Sequence, residues 1–155
     1  MSFENLSLAE PIQRALQEEN YGTPTPIQAK AIPVILEGKD IIGCAQTGSG
    51  KTAAFALPVL HHFQETPKPV KSRQCRTVVL APTRELATQV ARSFERYGKH
   101  LDIKVGIVVG GMPMQPQIRE LAKGLDVVVG TPGRLLDMMQ QRKIDFRATD
   151  HLILD

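Results

Sequence analysis

The sequence predicts an α/β fold: a parallel sheet flanked by helices. Three observations carry this. Five short apolar runs alternate with helical patterns along the 155 residues. The runs are almost unbroken Val, Ile and Leu, as expected of strands covered by helices on both faces. The first run opens into a helix through a glycine-rich loop.

Taken in order, Ala9–Glu19 is a helix starting near Pro11, and Thr25–Glu37 a second, with Pro26 suited to a first helical turn. Asp40–Cys44 reads as the first strand and Lys51–Phe63 as its helix. Thr77–Ala81 and Arg84–Lys99 form the next pair, then Lys104–Val109 and Gln115–Lys123, then Asp126–Gly130 and Pro132–Gln141. His151–Leu154 is the last strand. Repeated strand–helix alternation implies right-handed crossovers. Gln64–Arg76 holds Pro67, Pro69, Lys68, Lys71 and Arg73 and little apolar surface, so it reads as a surface loop.

Composition bounds the class. Apolar content of 42% and charge of 23% suit a soluble globular domain, and the length suits one domain. No apolar run approaches the roughly 20 residues that span a bilayer, so no membrane partner is expected. Met1-Ser2-Phe3-Glu4-Asn5 has neither a basic region nor an apolar signal core, and a cytoplasmic protein is expected. Cys44, in a predicted buried strand, and Cys75, in a polar connector, read as reduced thiols. The four histidines lack metal-ligand spacing. A net charge of +3 weakly favours an anionic partner.

The chemistry concentrates in Ala45-Gln46-Thr47-Gly48-Ser49-Gly50-Lys51-Thr52. Strand, glycine loop, helix is the setting of a phosphate-binding loop. Backbone N–H groups from Thr47 to Thr52 would wrap a triphosphate, and Gly48 and Gly50 allow the close approach. The helix N-terminus adds roughly half a positive charge. Lys51 would reach the β/γ-phosphates and the Thr52 hydroxyl would ligate Mg²⁺. Ligands of open α/β sheets sit at the carboxyl ends of the strands. Three further turns follow strands there: Pro82-Thr83-Arg84, Gly110-Gly111 and Thr131-Pro132-Gly133-Arg134. Thr83 and Thr131 are candidate N-caps, and helix N-termini with Arg side chains suit a polynucleotide backbone.

The set resembles the first RecA-like domain of DEAD-box ATP-dependent RNA helicases, with the bacterial RhlE-like branch the nearest subgroup. Asn20–Gln28 looks like the Q motif, Ala45–Thr52 like motif I, and Pro82–Leu86 like motif Ia. Gly110-Gly111 looks like the GG element, Thr131–Arg134 like motif Ib, and Leu152–Asp155 like the strand that delivers motif II. The resemblance implies one helicase ATP-binding domain over residues 1–155, incomplete at its C-terminus, with the Q-motif region in 1–37. It implies ATP and Mg²⁺ as cofactors. Ala45, Thr47, Gly48, Ser49, Gly50, Lys51 and Thr52 would hold the phosphates, and Thr52 and Asp155 the metal. Gln28 would pair with adenine's amine and a ring nitrogen, a pairing guanine cannot satisfy. Tyr21 would pack on the base and Phe3 would close the pocket; Asn20 stands where the family often has Gly, and Asn tolerates left-handed backbone angles.

The resemblance further implies single-stranded or short duplex RNA as partner, held mainly by its backbone and told from DNA by its 2′-hydroxyls. Pro82, Thr83, Arg84, Gly110, Gly111, Thr131, Gly133 and Arg134 would meet it. Lys51, Thr52 and Asp155 would serve catalysis. The Glu that activates water would follow Asp155, and a second RecA-like domain would supply an arginine finger. The 155 residues alone are therefore expected to bind without appreciable turnover. The strand expected between those of motifs I and II also lies beyond Asp155, so unpaired backbone is expected beside both.

Overall fold

The structure is a computed structural model describing residues 1–46 and 48–155. The chain divides into two compact units, Met1–Lys68 with Arg96–Asp102, and Pro69–Glu95 with Ile103–Asp155.

The first unit is helical. A short 3-10 turn, Phe3–Leu6, precedes α1 (Glu10–Glu18), α2 (Pro26–Leu36) and α3 (Lys51–Glu65). Helix α1 buries Ile12, Ala15 and Leu16, one stripe at helical spacing. Helix α3 is apolar nearly all round from Ala53 to Leu60 and packs on α2, which contributes Ala31 and Ile32. Helix α2 starts where the sequence predicts: Pro26 takes the first position, Thr25 is the N-cap, and Gln28 Oε1 accepts from the Thr25 amide at 3.0 Å. Asn20 does adopt left-handed geometry, at φ 60°.

The second unit carries the sheet. Strands β1 (Cys75–Leu80), β2 (Val105–Val108), β3 (Leu125–Gly130) and β4 (His151–Leu154) are parallel in the order β2-β3-β1-β4. Helices α4 (Arg84–Tyr97), α5 (Met114–Ala122) and α6 (Pro132–Gln140) connect them, α4 ending in residues counted with the first unit. Val78, Val108 and Val128 pack on one face with Leu121 of α5 and Leu135 and Met138 of α6. On the other face Ile107 and Val109 line a groove with Arg84, Thr88 and Arg92 of α4.

Four of the five expected strands form within two residues of their predicted bounds. The fifth, Asp40–Cys44, does not: residues 41–46 form no strand, Ile42 is 95% exposed, and Cys44 is exposed, not buried. An apolar run becomes a strand only if a neighbour takes its N–H and C=O groups, and among the described residues none pairs with it. Strand β4 is likewise not buried on both faces. It ends the strand order, and Leu152 and Leu154 stand exposed.

The predicted loop Gln64–Arg76 is also shorter than expected. Helix α3 runs on to Glu65 and β1 begins at Cys75, which is buried. Arg76 is 2% exposed, and its Nε and Nη2 donate to Asp150 Oδ2 at 3.2 and 3.0 Å. The Asp150 amide in turn donates to the Arg76 carbonyl at 2.7 Å. The pair fixes the entry of β4 beside β1. Gly124 supplies another tight turn: at φ 79° its Cα lies where a Cβ would come within 2.7 Å of the Lys71 carbonyl.

Two measurements follow. Asp150→Ala removes the carboxylate that accepts from Arg76 Nε and Nη2, and a loss of about 2 kcal/mol is expected in urea unfolding. Burial pushes the Cys75 thiol from 9.0 up to about 11, against a smaller opposing effect of the Thr149 hydroxyl. The folded chain thus holds this proton longer than the unfolded one. Its contribution to stability is complete below pH 9 and is lost as pH rises toward about 11. Under native conditions near neutral pH a thiol reagent should modify Cys44 quickly and Cys75 only on unfolding; equal rates would contradict this.

Candidate functional site

The glycine loop takes the backbone that its glycines permit. Gly48 and Gly50 both sit at φ 83°, left-handed angles that a Cβ would strain. Gly50 is the N-cap of α3, so Lys51 and Thr52 are the first residues of a 15-residue helix. Its leading N–H groups have no partner within the helix, and its dipole presents positive charge there. The Ser49 amide donates to the Gln46 carbonyl at 3.2 Å, folding the loop back on itself. Among the described residues, Ser49 Oγ and Thr25 Oγ1 are buried without a hydrogen-bond partner. Left-handed glycines, a helix N-terminus and two buried hydroxyls fit a bound polyphosphate. Thr47 lies outside the described residues.

Gln28 links this loop to the turn before α2. It is 6% exposed, and its Nε2 donates to the Gly50 carbonyl at 3.0 Å while Oε1 serves the Thr25 amide. The two partners fix which end of the amide is which, because a carbonyl only accepts and an N–H only donates. Among the described residues each end keeps capacity: one further N–H on Nε2 and one further lone pair on Oε1. That is the pair an adenine edge requires.

Tyr21 is 41% exposed, its amide donating to the Leu16 carbonyl at 2.9 Å. Its ring centroid lies 6.2 Å from that of Tyr97, tilted by 52°. Tyr97 is buried, and burial pushes its hydroxyl up to about 12, with Tyr21 acting in the same direction. Phe3 is buried and held through its backbone. Its amide donates to the Gly22 carbonyl at 3.1 Å, its carbonyl accepts from Gln13 Nε2 at 2.8 Å, and its side chain is 4% exposed. The 3-10 turn places this ring in the helical core and leaves no open aromatic face.

The three turns of the sheet unit meet at the carboxyl ends of adjacent strands. Register places Leu80, Gly130 and Val108 level across β1, β3 and β2. Pro82 and Thr83 are exposed, and Thr83 caps α4, its Oγ1 accepting from the Leu86 amide at 3.2 Å. Thr131 occupies the N-cap position of α6, but its hydroxyl makes no cap bond. It accepts from the Gly110 amide at 3.2 Å and so joins two of the turns. Gly111 stands at φ 77°, and a Cβ there would touch Arg84 Nη1 at 3.4 Å. Gly110 and Gly133 have open space where a side chain would be. Among the described residues the Arg84 guanidinium makes a loose exposed contact with Glu85, at 3.8 Å. Arg134 is more committed: its Nη1 donates to the Met112 carbonyl at 2.9 Å and to Gln117 Oε1 at 3.1 Å.

Gln117 was not anticipated. A polar residue four positions before Leu121, on the stripe that α5 buries, is the signal that would have found it. Asp155 follows β4, its amide donating to the Leu80 carbonyl at 2.9 Å. Among the described residues no group of three or more His, Cys, Asp or Glu side chains is placed to hold a metal. No described helix is long and apolar enough to cross a membrane.

A family profile described as DEAD/DEAH box helicase matches residues 25–155. The chain belongs to that family. It is 46% identical over 155 residues to the ATP-dependent rRNA helicase RRP3 of Gibberella zeae, covering 99% of this chain and 31% of that protein. It is 40% identical over 154 residues to DEAD-box ATP-dependent RNA helicase 24 of Arabidopsis thaliana, covering 99% of this chain and 20% of that one. Among solved structures, a hypothetical ATP-dependent RNA helicase from Sulfolobus tokodaii superposes with a TM-score of 0.85 at 39% identity, covering 96% of this chain and 41% of that chain. The chain thus spans about a third or less of the curated relatives cited. The fold is that of a RecA-like helicase domain. Within this DEAD/DEAH box chain the Gln28–Gly50 contact joins the turn before α2 to the glycine loop.

The two loop glycines make a direct test. Gly48→Ala should cost about 1 kcal/mol, the strain of a left-handed Ala. Gly50→Ala adds a collision with the Gln28 amide and disturbs the Thr25 cap, for roughly 2 kcal/mol in all. Equal losses in thermal unfolding would show that the Gln28 contact does not constrain the loop.

Proposed function

We propose that this chain is the ATP- and RNA-binding part of a DEAD-box RNA helicase that separates short RNA duplexes using ATP. The observation that carries the reading is the meeting of three turns, Pro82–Arg84, Gly110–Gly111 and Thr131–Arg134, at one end of the sheet, joined by the Thr131–Gly110 hydrogen bond. An RNA backbone suits them. Arg84 and Arg134 supply charge, the α4 and α6 N-termini supply N–H groups, and Gly110, Gly111 and Gly133 leave room for close approach.

ATP, when bound, supplies the phosphoryl group that is transferred to water. The amides from Gly48 to Thr52 and the Lys51 ammonium would hold its phosphates. Thr52 and Asp155 are the candidate ligands of Mg²⁺, which would offset the charge of the phosphates. Gln28 would read the adenine edge with its spare N–H and lone pair, while Tyr21 offers a half-open ring face. A second RecA-like domain is the expected partner for closure over RNA. A second reading, binding without turnover by these 155 residues, is favoured by the irregular, largely exposed segment 41–46 that leads into the loop.

A nucleotide panel with and without RNA tests this. ATP should bind in preference to GTP, and Lys51→Ala should weaken ATP about tenfold or more, the loss of a charge-assisted contact. Arg84→Ala should weaken RNA binding evenly across sequences and lower the slope of log affinity against log salt by about 1. Equal ATP and GTP affinity, or RNA binding indifferent to Arg84, would defeat the reading. RNA-stimulated phosphate release by the chain would defeat the second one.

A further inference from the structure

We infer that Gln117 is a positioning residue that locks the Val109–Met112 turn to Arg134 in the shape that receives an RNA backbone. The inference rests on the RNA reading above, but the lock is a property of the fold and can be measured without RNA.

Gln117 lies on α5 and is 8% exposed, a buried polar side chain with both ends engaged. Its Nε2 donates to the Val109 carbonyl at 3.0 Å, just past the end of β2. Its Oε1 accepts from Arg134 Nη1 at 3.1 Å, and the same nitrogen donates to the Met112 carbonyl at 2.9 Å. The Gly110 amide donates to Thr131 Oγ1. Three successive points of the turn, the Val109 carbonyl, the Gly110 amide and the Met112 carbonyl, are thus fastened from outside it. Gly111 sits between them at φ 77°. Two of the three fastenings pass through Gln117 or the arginine that it holds.

A neutral amide meets both demands. The Val109 carbonyl needs a donor and Arg134 needs an acceptor, and glutamine presents one of each. Leucine would leave a buried carbonyl unpaired and Arg134 without its acceptor. A carboxylate would keep Arg134 but set lone pairs against the Val109 carbonyl; its protonated form would restore the donor.

The test uses the chain with Gln117→Leu, Gln117→Glu and Arg134→Ala, read by affinity for a short oligouridylate, affinity for ATP, and amide hydrogen exchange at Gly110–Met112. Gln117→Leu should weaken RNA about tenfold, the worth of one to two buried hydrogen bonds. ATP affinity should stay unchanged and exchange in the turn should quicken. Combining it with Arg134→Ala should cost RNA binding less than the two separate losses together, because both remove one lock. Gln117→Glu should recover affinity relative to the parent chain as its carboxyl protonates, a response that mere loss of packing would not give. Should the leucine variant not fold, the glutamate variant and its pH dependence decide. Unchanged exchange in the turn, or fully additive losses, would overturn the inference. Faster exchange in a chain whose parent binds no RNA would sink the RNA reading and leave the lock standing.

Discussion

The in-register parallel ladder is the constraint on which the rest of the sheet unit depends. Val108 pairs with Gly130, Gly130 with Leu80, and Leu80 with Leu154, so all four strands finish level. The chain leaving each strand therefore enters the same layer of space. A slip of one residue on any strand would turn its buried Val and Leu to the wrong face, so the apolar pattern enforces the level ending. Gly130 shows how tight this corner is. A Cβ there would lie 2.7 Å from both the Val108 carbonyl and the Leu135 side chain. Its absence lets α6 begin two residues beyond the ladder and brings Thr131 within reach of Gly110.

Two glutamines solve the same problem in the two units. Gln28 spans the Thr25 amide and the Gly50 carbonyl, and Gln117 spans Arg134 and the Val109 carbonyl. Each joins an irregular turn to a helix through a buried side chain that donates at one end and accepts at the other. A charged residue in either place would carry a desolvation penalty and lack one of the two functions. An apolar one would leave backbone polar groups unpaired. Turns that must present their main chain to a ligand cannot use all of it for their own folding, so side chains from outside hold them.

How much of this could be read from the sequence depended on whether a feature is local. Strands β1 to β4 and helices α1 to α6 were legible because apolar periodicity, Pro26 and the glycine turns act over a few residues. The segment Asp40–Cys44 satisfied the same local criteria and still formed no strand, because pairing is a property of two segments. Cys75 and Arg76 looked like the end of a polar loop. Cys75 is buried in the core with Leu121 and Leu125, and Thr149 and Asp150, some seventy residues later, supply polar partners to Cys75 and Arg76. Gln117 was hidden for a related reason: a glutamine on an amphipathic helix is ordinary until the turn it serves has folded against it. In the candidate site the left-handed glycines and the Thr83 cap were readable, whereas the destination of the Thr131 hydroxyl was not.

Arg134 shows why the distinction between holding a turn and touching a ligand matters. Its sequence context suggested a direct contact with phosphate, and the structure gives its Nη1 to the Met112 carbonyl and Gln117. A guanidinium has five N–H donors in a rigid plane, and two of these contacts share one nitrogen. The donors on Nε and Nη2 remain in the same plane, oriented by the same two contacts. Fixing one corner of the fork fixes the direction of the rest, so the arginine that shapes the glycine turn is also aimed by it. A lysine could not replace it, because an ammonium on a flexible stem has no second corner for the first to orient.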